Sequence, residues 1–168
     1  MDKLKKEFSK IYDHYVEKIF RFIFLKVNSK EIAEDLTSET FLRTWEVFSN
    51  QNSKIENISA FLYQTAKNLV IDYYREKGKA KIVSPDCIPS LSDSNENPHK
   101  KALVNSEMER IQKALSQLNE DYQNAIIWYY LDDLPIQEVA ELLGRTVPAT
   151  RVLISRAIKT LREELEKL

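Results

Sequence analysis

A chain of 168 residues with a formal net charge of −1, 43% hydrophobic and 30% charged, is long enough for one domain or two small ones and too apolar to be disordered throughout. No apolar run approaches the roughly 20 residues of a membrane helix, and a charge near zero excludes a protein that coats nucleic acid by bulk attraction, though not a specific binder with local patches. The basic start MDKLKK leads into no apolar signal core, and Cys87, the only cysteine, makes no internal disulfide and reads as an incidental loop thiol, so a reducing, cytoplasmic setting is expected.

Only two glycines occur, Gly78 and Gly144, and apolar residues recur at helical spacing, so the expected fold class is all-α. The first helix is predicted over about 4–27. A second opens at Ser29, a good N-cap, and runs to about Ser49. Asp35, Glu39, Leu42 and Glu46 share one side of it. Asp35 and Glu39 are like charges at i, i+4, a cost of about 0.2–0.5 kcal/mol that Arg43, four residues after Glu39, partly offsets. This face reads either as a plain solvated surface or as an interface for a basic partner.

The polar loop SNQNSKIENI follows. Ser59 is the expected cap of a third helix reaching about Lys77, with Gly78 as its stop. Leu62, Ala66, Leu69, Val70 and Tyr73 form its core stripe. Opposite them stand Phe61, Gln64, Asn68 and Arg75, an aromatic, two amides and a guanidinium. Such a face suits unpaired bases, through stacking, edge hydrogen bonds and phosphate contact; it also suits an ordinary polar helix face. The adjoining DYYREKGKAK carries four basic and two acidic residues, a local excess that favours the first reading.

Three of the five prolines fall in KIVSPDCIPSLSDSNENPHKK, a composition that reads as a linker. The chain is thus divided into a helical domain over 1–81, a flexible linker over 82–104 and a second helical domain over 105–168. In the second, helices are predicted at 106–118, 120–131, 136–143 and 148–166. Gly144 stands where the residue after a helix should, and Pro148 in the first turn of the next helix. A helix, a short glycine-containing turn and a basic helix make the helix-turn-helix signature. On the last helix Arg151, Ser155, Lys159 and Arg162 fall within about 80° of one another, with Ile154, Ala157, Ile158, Leu161 and Leu165 on the other side. Arg151, Val152, Ser155, Arg156 and Lys159 form the expected groove-facing set. An arginine there suits a guanine edge, Val152 a thymine methyl and Lys159 or Arg162 a phosphate. A basic helix face near a C-terminus also suits the helix dipole without any DNA.

Nothing in the chain reads as catalysis. There is no phosphate-cradling glycine loop, no HExxH, no GxSxG and no Cys/His cluster at metal spacing; no enzyme activity, cofactor or metal is expected. His14 and His99 read as surface or packing residues.

The stretches IAEDLTSETFLRTWEVF, AFLYQTAKNLVIDYYREKGK and LSQLNEDYQNAIIWYYLDDLPIQEVAELLGRTVPATRVLISRAIKTLREEL resemble, in this order, bacterial RNA polymerase sigma factors of the extracytoplasmic-function (ECF) group. The resemblance covers about residues 8–166 and implies a region 2 bundle and a region 4 helix-turn-helix. It implies a factor that binds core RNA polymerase and directs it to promoters. Asp35, Glu39, Leu42 and Arg43 take the positions that dock on the β′ clamp helices. Asn68, with Phe61, Gln64, Arg75 and the 49–58 loop, including Asn50 and Lys54, takes those that capture melted −10 bases. Arg151, Val152, Ser155, Arg156 and Lys159 take those that read the −35 duplex, and the aromatic AIIWYYL helix forms their supporting core and a surface for the β flap. An anti-sigma partner is implied too. One departure bears on −35 preference: where the family often has Ser-Arg after the basic residue, this chain has Val152-Leu153.

Overall fold

Asn28 takes a left-handed backbone, φ 55°, and its N–H donates to the Phe24 carbonyl at 2.9 Å. Asparagine is one of the few non-glycine residues that enter this region readily, and here it ends helix α1, Asp2–Val27. Ser29 is extended, and its Oγ accepts the Ile32 N–H at 3.3 Å, opening α2, Lys30–Phe48, with the cap where the sequence places it. The structure, a computed structural model, describes residues 2–50, 52–80 and 98–168, and side chains outside 79–80 and 98–106. Cys87 and the segment 82–97 of the expected linker lie outside the described residues, as does the His99 side chain.

Helix α3, Ile58–Ala80, departs from expectation at both ends. Asn57 Oδ1, not Ser59, caps the first turn, accepting the Ala60 N–H at 3.1 Å; Ser59 is buried inside the helix. At the other end the helix continues past Gly78 to Ala80. A helical glycine costs about 1 kcal/mol but does not forbid the helix, and Gly78 does not adopt the positive φ of a stop residue.

The core of this first unit is Ile19, Phe22 and Ile23 of α1, Phe41 of α2, and Leu62, Tyr63 and Ala66 of α3. The inner face of α2 is built differently, from Ala33, Thr37, Thr40 and Thr44, all buried. The three threonine hydroxyls donate to the carbonyls of Ala33, Leu36 and Thr40 at 2.6, 2.7 and 2.7 Å. Each buried hydroxyl is therefore satisfied within its own helix, and short side chains let α1 and α3 approach closely. Phe8 closes the open end against Phe41 and Trp45, ring centroids 6.4 and 5.1 Å away. Tyr74 donates its hydroxyl to the Lys26 carbonyl, satisfying one of the carbonyls left open at the end of α1.

The chain divides into two units, Met1–Ser92 and Asp93–Leu168. The second opens with α4, Pro98–Ser116, which begins inside the segment that composition assigns to the linker. Asn119 Oδ1 accepts the Tyr122 N–H at 2.8 Å and caps α5, Glu120–Ile126. The helix expected to run to 131 changes pitch at Ile127: a π-helical turn spans Ile127–Leu131, closed by the Asp132 N–H on the Ile127 carbonyl at 2.9 Å. The wider turn buries Ile127 and Trp128 and leaves Tyr129, Tyr130 and Leu131 at 37, 50 and 40% exposure. AIIWYYL is thus core over its first half and surface over its second. Helix α6, Ile136–Leu143, ends at Gly144, φ 68°. Thr146 Oγ1 accepts the Ala149 N–H at 3.2 Å, and α7, Val147–Glu166, begins with proline in its first turn. Ala125, Trp128, Val139, Leu153, Ile154 and Ala157 pack the core beneath it. Among the described residues there is no strand, and no helix is long and apolar enough to cross a membrane.

Candidate nucleic-acid and protein interfaces

The outward face of α7 is built by subtraction. Thr150, Leu153, Ile154 and Ala157 are consumed by the core, and the Thr150 hydroxyl donates to the Thr146 carbonyl at 2.8 Å. What remains in solvent is Arg151, Val152, Ser155, Arg156 and Lys159, the whole set expected from the sequence, with Val152 half exposed at 50%. Leu153 is buried, so the second aliphatic departure is a core residue and touches no ligand of this face. Among the described residues Arg151, Arg156, Lys159 and Arg162 enter no ion pair, which leaves four cations along one ridge.

A shallow groove flanks this ridge on each side. One is shared by Tyr129, Tyr130, Arg151, Ser155, Lys159 and Arg162. The other runs between the α5 N-terminus and α7, past Asp121, Arg145, Val152 and Arg156. Arg145 belongs to no reading of the sequence as a site residue; its Nη2 donates to Asp121 Oδ2 at 2.8 Å. The tyrosine pair was equally hidden, since a run of three aromatics in a regular helix gives no sign of which one is buried.

On α3 the outer face holds Phe61, half-buried, with Gln64, Asn68 and Arg75 exposed. Helical spacing brings the four within about 60° of one another. Gln64 Nε2 donates to Asn68 Oδ1 at 3.2 Å, so the amides brace each other and leave the Asn68 nitrogen as donor and the Gln64 oxygen as acceptor for another partner. Arg75 lies 3.7 Å from Asp72, both well exposed, a contact worth little in water. In the preceding loop Asn50 Oδ1 accepts the Asn52 N–H at 2.9 Å, so this side chain shapes its own turn. Lys54 is exposed. Among the described residues no hydrogen bond or ion pair joins Asn50 or Lys54 to the α3 face.

On α2 the threonine face points inward, which puts Asp35, Leu42, Arg43 and Glu46 in solvent and Glu39 at the edge. Leu42 is 53% exposed, beside an Arg43 Nε to Glu39 Oε1 ion pair of 2.9 Å. A large apolar side chain framed by charge, which the fold does not bury, has the make-up of a protein contact. His14 is exposed and lies edge-on to Tyr15.

Two protein-family models match the chain: the one described as Sigma-70 region 2 over residues 11–80, and the one described as Sigma-70, region 4 over 108–161. The chain is similar to the ECF RNA polymerase sigma factor BldN of Streptomyces coelicolor, 29% identical over 154 residues, covering 92% of this chain but only 58% of that one. It is similar to the ECF RNA polymerase sigma factor SigM of Bacillus subtilis, 29% identical over 154 residues, covering 90% of this chain and 91% of SigM. Among solved structures, CnrH in complex with the cytosolic domain of CnrY shares the fold at TM-score 0.72 and 16% identity, covering 97% of this chain and 90% of that one. The sigma factor RpoE in complex with the anti-sigma factor NepR, from Bartonella quintana, shares it at TM-score 0.70 and 22% identity, covering 96% of this chain and 98% of that one.

Proposed function

Since the chain belongs to the sigma-70 family, as a sigma factor of the ECF group, we propose that its three faces divide the work of promoter recognition. Sigma factors are transcription initiation factors, not enzymes, and direct RNA polymerase to promoters. In this reading the first unit binds core polymerase through Asp35, Glu39, Leu42 and Arg43, which meet the β′ clamp helices. The same unit holds melted −10 bases on Phe61, Gln64, Asn68 and Arg75, with Asn50 and Lys54 beside the strand. The second unit reads −35 duplex with Arg151, Val152, Ser155, Arg156 and Lys159, and Tyr129 and Tyr130 offer a surface to the β flap. The observation that carries this reading is the ridge of α7: four cations along its wet side that enter no ion pair among the described residues, on the second helix of a helix-turn-helix.

Initial melting then needs no hydrolysis. Energy released as polymerase, factor and DNA assemble is exchanged for unstacking, a few kcal/mol per base. The chain between α3 and α4 joins two readers of modest affinity, so that binding one promoter element raises the effective concentration at the other. The protein acts in the cytoplasm, where the polymerase is. RpoE is described with an anti-sigma factor, and an anti-sigma partner is proposed here as well.

The test is run-off transcription with core polymerase, with and without this protein, on a pool of genomic fragments. Discrete new transcripts with shared upstream elements are expected. No new transcripts, together with tight dimeric binding to palindromic duplex, would instead indicate a conventional helix-turn-helix regulator.

A further inference from the structure

We infer that Arg145, in the turn between α6 and α7, is a second DNA-phosphate site of the reader, and that Asp121 masks it until duplex arrives. The inference rests on the reading of α7 as a duplex-binding helix. Arg145 follows the left-handed Gly144 that ends α6. Its side chain reaches over a separation of 24 residues to the first turn of α5, where Nη2 meets Asp121 Oδ2 at 2.8 Å. Both side chains remain nearly half exposed, at 45 and 43%. The pair is therefore a surface ion pair, of the strength that water and salt readily exchange.

The surroundings give this pair its meaning. The groove holding Arg145 and Asp121 also holds Val152 and Arg156, while Arg151, Ser155 and Lys159 face the groove on the other side of the ridge. A helix lying in a major groove about 12 Å wide has a sugar-phosphate strand on each flank. Among the described residues, on one flank Arg151, Lys159 and Arg162 enter no ion pair; on the other, Arg156 stands beside an arginine already engaged. A guanidinium has five N–H donors in a planar fork and pairs bidentately with phosphate, so Arg145 can exchange its carboxylate for a phosphate oxygen. Asp121 loses little in the exchange: it sits in the first turn of α5, where the helix dipole favours a carboxylate on its own. No bond is made or broken except hydrogen bonds, and the charge on Arg145 is neutralised before and after.

Removing Asp121 should then tighten duplex binding, and only through Arg145. The test is fluorescence anisotropy of the full chain with a labelled random-sequence 25-base-pair duplex across a potassium chloride series, for the parent, Asp121→Asn, Arg145→Gln and the double variant. Asp121→Asn is expected to bind about two- to fivefold tighter, within the range of one exposed ion pair. Arg145→Gln is expected to bind about fivefold weaker and to flatten the logarithmic salt slope by about 0.9, one phosphate contact. In the Arg145→Gln background Asp121→Asn should change affinity less than twofold. If Asp121→Asn binds no tighter and melts lower, the pair is a structural staple and the inference fails. If it binds tighter whether or not Arg145 is present, the effect is one of bulk charge and the inference fails equally. Arg151→Ala and Arg156→Ala are run alongside: if the parent does not bind, or these two lose nothing, the duplex reading of α7 itself falls.

Discussion

The phenol of Tyr74 donates to the Lys26 carbonyl and titrates above its ordinary value of 10.0, raised first by burial and then by the charge of neighbouring Tyr73. A proton held more tightly in the folded chain than in the unfolded one stabilises the fold while it is bound. That contribution is complete below the unfolded pKa and disappears as pH rises through the folded one. Tyr74→Phe should therefore cost about 1 kcal/mol at neutral pH, the net worth of one hydrogen bond, and the gap to the parent should close as the pH passes 10 and the phenolate forms. Urea melts at pH 7.5 and above pH 10.5 measure both; a gap that stays constant would deny Tyr74 this role. The bond itself could not have been read from the sequence, because its partner is a backbone carbonyl 48 residues away. Asn57 and Ser59 show a related limit: both are good capping residues, and only the burial of Ser59 against the core decides between them.

Helix boundaries set by local chemistry were legible. Gly144 and Pro148 bracket the turn of the helix-turn-helix because a left-handed residue and a residue without an N–H each have few other places to go. Gly144→Ala tests the cost. A Cβ there meets no atom within 4 Å, so the penalty is purely the left-handed backbone, φ 68°, and should be about 1 kcal/mol. A lower melting temperature with the salt slope of duplex binding retained is expected; loss of that slope would mean the turn angle itself had moved. The π-helical turn was not legible. Its cause is tertiary: Trp128 is wholly buried while Tyr129 and Tyr130 are not, and no spacing of three consecutive aromatics distinguishes them. The same limit hid the Arg145–Asp121 pair, which joins residues from two elements.

For the molecule as a whole, the reading in which two units each carry one DNA face makes the two faces separable. Arg151→Ala should cost about 1–3 kcal/mol of duplex affinity and relax discrimination at the −35 element. Asn68→Ala should leave −35 duplex binding intact and blur discrimination at the −10 element. Equilibrium binding of the holoenzyme to promoters mutated in one element at a time checks both; equal, sequence-independent losses would overturn the assignment. These faces could be listed from the sequence because each lies along a single helix, where period alone decides which residues are neighbours. Whether Asn50 and Lys54 join them could not, since a loop side chain has no period to place it.

The threonine side of α2 has a consequence for how this protein changes over generations. Because Thr37, Thr40 and Thr44 satisfy their hydroxyls within the helix, the inner side of α2 is complete in itself. Folding asks nothing of Asp35, Leu42 or Glu46 on the outer side. The two sides of one helix thus answer to separate demands: the inner to packing, where almost any larger residue would be excluded, and the outer, in the reading proposed above, to the partner that docks there. Lineages can rewrite the outer side in step with a partner without first solving a stability problem, and the shape of the domain persists while its loyalties drift.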